Sequence, residues 1–333
     1  HVKRMEDTSP FNGLVITVRA QKGEGKLGGT EALGWMAFHG DGRFKPEQYE
    51  HAIDDLRAAK AGSKQFTDNF IALIGHPNET KGLDWFDDAA WAEVNHNVGI
   101  IAKIAMQGGC VGIMFDPEEY AFPMWSYARM PEAMRKAHTY DEMAAKARER
   151  GQSFIRAINA EFPDLKILCL FGPYIYAQNV NGIGVPRTAE ANYNLAGPFY
   201  DGIIEAASEK TTLIEGYEQS YGYKKEEEFV AAKKEMIERP LELSKAKDAF
   251  HKHVRPGYGL WLDNQSGAKG AWFKPEENKN HFTPAEWRSA VHFALKHADE
   301  YVWIYNERAL WWEGRPGEAY EKAMKEARTS PAK

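Results

Sequence analysis

Only two cysteines, Cys110 and Cys169, occur in the 333 residues, and each lies inside an apolar run. Two such residues build neither a disulfide framework nor a thiolate metal site, and buried free cysteine behaves as a small hydrophobe. Long apolar runs are missing too. None approaches the roughly 18 to 20 consecutive apolar residues that a helix needs to cross a bilayer, so no membrane span is expected. A basic surplus is also absent, since 42 Lys and Arg are outnumbered by 48 Asp and Glu spread along the chain. Without a basic stripe to neutralise phosphates, nucleic acid is not an expected partner. No G-x-G-x-x-G turn or P-loop follows any apolar run, and no compact H-E-x-x-H motif appears. No cofactor and no metal ion are therefore expected. No linker rich in Pro, Ser or Gly divides the chain, which reads as one domain over residues 1–333.

Aromatic residues are what the chain has in quantity: 10 Trp, 15 Tyr and 17 Phe, or 13 % of it. Most belong in a core, but Trp and Tyr near strand ends are also surfaces on which sugar rings stack. Short apolar runs recur, each followed by a loop and a long stretch of helical period, the alternation expected of a parallel sheet covered by helices. The runs are FNGLVITV (11–18), NFIALIG (69–75), CVGIMFD (110–116), LKILCLFG (165–172), TTLIEGYE (211–218), YGLWLDN (258–264) and YVWIYNE (301–307). LGWMAFHG (33–40) reads as a strand-like insertion after the first of them. Thr283, Pro284 and Glu286 supply an N-cap, a first-turn proline and a capping-box acid to the helix before the last run. The charged stretch at 223–250 keeps an apolar stripe through Phe229, Val230, Met236 and Leu241, and reads as a solvated helical pair.

Seven β/α units are visible, and an eighth fits upstream of the opening HVKRMEDTSP, which reads as the end of a helix running into a strand. The expected fold is a single-domain (β/α)8 TIM barrel lacking its first strand, with a doubly wound open sheet as the alternative. Because the chain opens on His, an upstream segment carrying a signal peptide is expected to have been removed, so a secreted or periplasmic protein is expected.

In such barrels the active site lies at the C-terminal ends of the strands. That rule turns a scatter of acids into a map. Counting the upstream unit as the first, the fourth strand ends in Asp116-Pro117-Glu118, the sixth in Glu215 and Glu218, the seventh in Asp263 and the eighth in Asn306-Glu307. His39 comes from the insertion and His76 follows the third strand. Alternation puts Asp116 and Glu118 on one side, with Gly112 and Met114, and turns Glu119 away. On the sixth strand Glu215 and Tyr217 share a side and Glu218 takes the other, so alternation alone does not choose between the two acids.

Cleaving a glycosidic bond needs one carboxylic acid to protonate the leaving oxygen and a carboxylate to attack the anomeric carbon or activate water. Glu118, further out on the rim, suits the proton donor, with Asp116 orienting it and Glu215, Glu218 or Glu307 as partner across the barrel. Trp125, just after the acid loop, Trp261, and Trp311 with Trp312 after Glu307 are candidates to line a carbohydrate cleft, with Tyr217, Asp263 and Asn306 as further binding residues.

The β/α alternation with D-x-E at the fourth strand resembles TIM-barrel glycoside hydrolases, and is similar to the tail of the chitinase-type pattern D-G-x-D-x-D-x-E. Here that window reads VGIMFDPE (111–118), with Val111 and Met114 where the first two aspartates would stand. Tyr217-Glu218 is similar to that family's Met-x-Tyr-Asp, with Glu for Asp. Asn306-Glu307 is similar to the Asn-Glu pair of the retaining glycosidases, placed on the last strand instead of the fourth. The chain as a whole, including LDWFDDAAWAEVNHN, resembles secreted barrel proteins of polysaccharide-degrading bacteria. The resemblance implies a glycoside hydrolase acting on a poly- or oligosaccharide. Two other readings stand beside it: a metal-dependent sugar isomerase or epimerase using the same acids and histidines, and a carbohydrate-binding barrel without catalysis.

Overall fold

The structure, a computed structural model, describes residues 2–21, 31–177, 188–264, 272 and 277–329. Its strands are β1 (Val15–Ile16), β2 (Phe70–Ile74), β3 (Gly112–Asp116), β4 (Lys166–Cys169), β5 (Thr212–Glu215), β6 (Val254–Pro256), β7 (Tyr258–Trp261) and β8 (Val302–Tyr305). Its helices are α1 (Val2–Thr8), α2 (Leu33–Met36), α3 (Pro46–Ala61), α4 (Asp88–Gln107), α5 (Glu132–Ala137), α6 (Tyr140–Glu161), α7 (Ala196–Ala206), α8 (Glu226–Leu243), α9 (Lys247–His253), α10 (Pro284–His297) and α11 (Glu318–Thr329). The order is a mixed α/β one, in which almost every strand is followed by helix.

Strands β1 to β6 form one parallel sheet in chain order, and β7 pairs in parallel with β8. Only Gly257 separates β6 from β7. Its N–H donates to the carbonyl of Glu215 on β5, and the next N–H, of Tyr258, donates to the carbonyl of Tyr301. A single extended segment thus hands the pairing from β5 to β8. A Cβ at Gly257 would come within 2.8 Å of the Tyr301 carbonyl oxygen, which explains why glycine stands at the switch.

Alternation divides each strand between two cores. Ile71, Leu73, Ile113, Phe115, Ile167, Cys169 and Leu213 face α4, α6 and α7 in the largest apolar cluster. The alternate residues Phe70, Ala72, Ile74, Met114, Leu168 and Ile214 form a small inner cluster that also takes in Tyr301 and Trp303 from the far end of the chain. Residues from the end of the chain thus pack against the inner face of the first strands. Tyr301 donates to Asp68 Oδ1 at 2.7 Å, just before β2. Among the described residues no strand pairing joins β1 to β8, and a cavity of about 510 Å³ lies between them.

Two readings of the sequence need correction. Residues 33–40 are not a strand-like insertion: Leu33 to Met36 form α2, and the Ala37 N–H donates to the Leu33 carbonyl at 3.0 Å. Leu33, Ala37 and Phe38 are all buried, a helical spacing that an apolar run this short leaves ambiguous. Of the run at 11–18, only Val15 and Ile16 pair as strand. The charged stretch does form the helical pair α8 and α9, and Thr283 caps α10 reciprocally with Glu286. Both cysteines are buried and free. Among the described residues no helix is long and apolar enough to cross a membrane.

Candidate active site

Asp116 ends β3 on the inner side, two residues beyond Met114. Its carboxylate is buried, accepts the Glu118 N–H at 3.0 Å and accepts the Tyr120 hydroxyl at 2.6 Å. Burial pushes its pKa up to about 6, because water no longer solvates the charge and these two hydrogen bonds offset only part of that loss. Glu118 is half-buried beside it. Glu119 turns the other way and staples the following loop, accepting from the Trp125 N–H, Ser126 Oγ and Arg129 Nη1 at 2.8, 2.9 and 2.6 Å.

At the end of β5 the two glutamates divide. Glu215 is buried and takes three backbone N–H donors, from Gly172, Tyr174 and Tyr217, at 3.2, 2.7 and 3.2 Å. It ties the turn after β4 to the end of β5. Burial pushes its pKa to about 7 in spite of those donors. Tyr217 then adopts a left-handed conformation with φ 46° and ψ 71°, which costs a non-glycine residue on the order of 1–2 kcal/mol. Its ring is buried against Tyr174 with centroids 4.9 Å apart, and near Tyr258. The same reversal of the chain leaves Glu218 in the field of the other acids. Burial above all, then the charges of Glu118, Asp116 and Glu215, raise the Glu218 pKa to about 8, against the opposing effect of the nearby Tyr221 hydroxyl. Four carboxyls from two strand ends thus share one electrostatic neighbourhood.

Around them stand rings. His76, following β2, is 4 % exposed, with Trp35 and Tyr120 edge-on at 5.9 and 6.0 Å. Burial, then the neighbouring charge of His39, hold His76 below the usual imidazole range, and burial does the same to half-buried His39. On the other side Tyr221 meets Trp261, Trp303 and Tyr305 at 5.6, 5.5 and 6.1 Å. Trp261 donates to Asp263 Oδ1 at 2.8 Å. Asp263 is itself buried and accepts the backbone N–H groups of Glu307, Arg308 and Ala309, so it clamps β7 to the loop after β8.

Several residues expected to line a cleft lie elsewhere. Trp125 is 1 % exposed, packs on Trp85 and Phe199, and donates to the Gly75 carbonyl, so it is core. Tyr217 is core for the reason given above. Trp311 is buried edge-on to Phe11 and, with Asn306, lines the cavity between β1 and β8. Glu307 is exposed beyond Tyr305. Conversely, Trp35, Tyr120, Tyr221 and Tyr305 stand near these acids without having been expected there. Tyr120 had a signal, standing four residues after Asp116 in the loop that carries the acids. Among the described residues no group of three or more His, Cys, Asp or Glu is arranged to hold a metal ion.

No family model matches the chain, and no curated protein matches it. Among solved structures, a family 5 xyloglucanase from Paenibacillus pabuli is similar at 10 % identity over 98 % of this chain and 99 % of that one, with a TM-score of 0.43. A glucosidase from Croceicoccus marinus is similar at 12 % identity over 85 % of this chain, TM-score 0.43, and the chain spans 54 % of its length. A sugar phosphate isomerase/epimerase from Parabacteroides distasonis is similar at 9 % identity, over 87 % of this chain and 86 % of that one, TM-score 0.40. At these identities and scores, the functional reading rests on the side chains of this chain.

Proposed function

We propose that the parallel sheet is a (β/α)8-type barrel and that the protein is a glycoside hydrolase working at the C-terminal ends of its strands. The observation that carries this reading is Glu218: a half-buried carboxyl at the end of β5, near the Asp116–Glu118 pair, whose pKa is raised to about 8. An acid in such a place keeps its proton at neutral pH and has a use for it, because a departing sugar oxygen must be protonated. Glu218 is therefore the general acid. This reverses the roles that strand position alone suggested, in which Glu118 donated the proton.

Glu118, half-buried and more open to solvent than Asp116, is the carboxylate that attacks the anomeric carbon or activates water. Asp116 positions it by holding the Glu118 N–H and the Tyr120 hydroxyl. Glu215, saturated by three backbone donors, holds the scaffold together and does not touch substrate. The test is hydrolysis by purified protein across a broad glycan panel, repeated with Glu118→Gln and Glu218→Gln. Each variant should fold as the parent does and lose at least about 100-fold in turnover, the scale of a positioned acid or base. Undiminished hydrolysis by either would sink the assignment of that residue.

A further inference from the structure

Two groups of partly exposed rings lie beside the acids and supply neither the acid nor the base. The first comes from the segments after β1 and β3: Trp35 and Tyr120, 39 % and 50 % exposed, with centroids 5.2 Å apart and planes tilted by 40°. The second comes from the ends of β7 and β8: Trp261 and Tyr305, edge-on at 5.2 Å, with Tyr305 40 % exposed. Exposure on this scale stands out in a chain that buries Trp85, Trp91, Trp125 and Trp287 completely or nearly so.

The rings are held in place. Tyr120 is fixed through its hydroxyl to Asp116, and Trp261 through its indole N–H to Asp263, itself clamped by three backbone donors. Tyr305 stacks on Tyr221 with an interplanar angle of 27°. Rings fixed before a ligand arrives lose little freedom on binding it. Each group also reaches one of the two acid-bearing strand ends: Tyr120 bonds Asp116, and Trp261 and Tyr305 both meet Tyr221, which follows Glu218.

A pyranose offers a C–H face that an aromatic ring can cover while its hydroxyl rim keeps hydrogen bonds. Resting on the reading of the acids as a glycosidase pair, we propose that Trp35–Tyr120 and Trp261–Tyr305 are two sugar platforms that grip pyranose units on the two sides of the cleaved bond. The substrate is then a chain of pyranose sugars gripped along its length, not a single sugar carrying a small leaving group.

Calorimetric titration of the Glu218→Gln protein with gluco-, xylo- and manno-oligosaccharides (β-linked) and malto-oligosaccharides (α-linked), from one to six units, tests this without turnover. One series should bind at least ten-fold more tightly at four units than at one. Adding Trp35→Ala or Tyr305→Ala, both at exposed positions, should each weaken the four-unit ligand ten-fold or more and the single sugar less than three-fold. Affinity independent of length, affinity unchanged in both alanine variants, or no binding to any series would overturn the platforms. If both alanine losses appear but the parent protein cuts none of the bound series, the platforms stand and the hydrolase reading falls. If the parent cuts a series whose affinity neither alanine alters, the hydrolase reading stands and the platforms fall.

Discussion

Replacing Glu218 by Gln should make the protein more stable while removing its activity, and the gain should depend on pH in a defined way. The folded protein raises the Glu218 pKa from an ordinary 4.5 to about 8, chiefly by burial. Between those two values the unfolded chain has released the proton and the folded protein still holds it. Folded protein then binds more protons than unfolded, so stability falls as pH rises through this window. At pH 7 the carboxyl must be reprotonated to fold, against an unfolded value of 4.5. At about 1.4 kcal/mol for each factor of ten, that costs about 3 kcal/mol. Gln has nearly the same shape and does not ionise. Urea unfolding should therefore find Glu218→Gln about 2–3 kcal/mol more stable than the parent at pH 7, with the difference shrinking to near zero at pH 4, where Glu218 is protonated in both states. A gain of the same size at both pH values, or a loss at pH 7, would refute the account, because neither follows from an ionisation that burial opposes.

The pH dependence of kcat/KM should form a bell. It rises as Asp116 loses a proton near 6 and falls as Glu218 loses its own near 8. A falling limb that survives in Glu218→Gln would assign that limb to another group. Trp125→Ala should cost about 3–5 kcal/mol in denaturant unfolding, as expected for emptying a fully buried Trp site. The affinity of the protein that remains folded for its best oligosaccharide should change little, whereas a cleft-lining Trp125 would show the opposite pattern.

How much of this was legible in the sequence varies residue by residue. The β3 strand and its acids were plain, because VGIMF is an apolar run of strand length and the period of two fixes Asp116 beside Met114 and sends Glu119 away. The roles of Glu215 and Glu218 were not. They depend on one left-handed residue, Tyr217, which breaks the alternation that the sequence reading relied on, and a tyrosine gives no local signal of that conformation. Trp125 and Trp311 read as cleft residues from their distance to acids along the chain. Packing decided otherwise, since an indole next to a functional loop in sequence can be turned into the core by the fold.

The sequence by itself determined the periodicities: parallel strands alternating with amphipathic helices, a capped α10, no basic stripe, and acids concentrated where apolar runs stop. These are local properties, set by which side chains recur every two or every three to four residues, and they survive in any description of the chain. Tertiary structure alone decided which acid is desolvated, which is saturated by backbone N–H groups, and which rings are left facing solvent. A carboxyl's pKa depends on neighbours far along the chain, as Gly172 is to Glu215 and Asp116 to Glu218, and such neighbours exist only once the chain has folded.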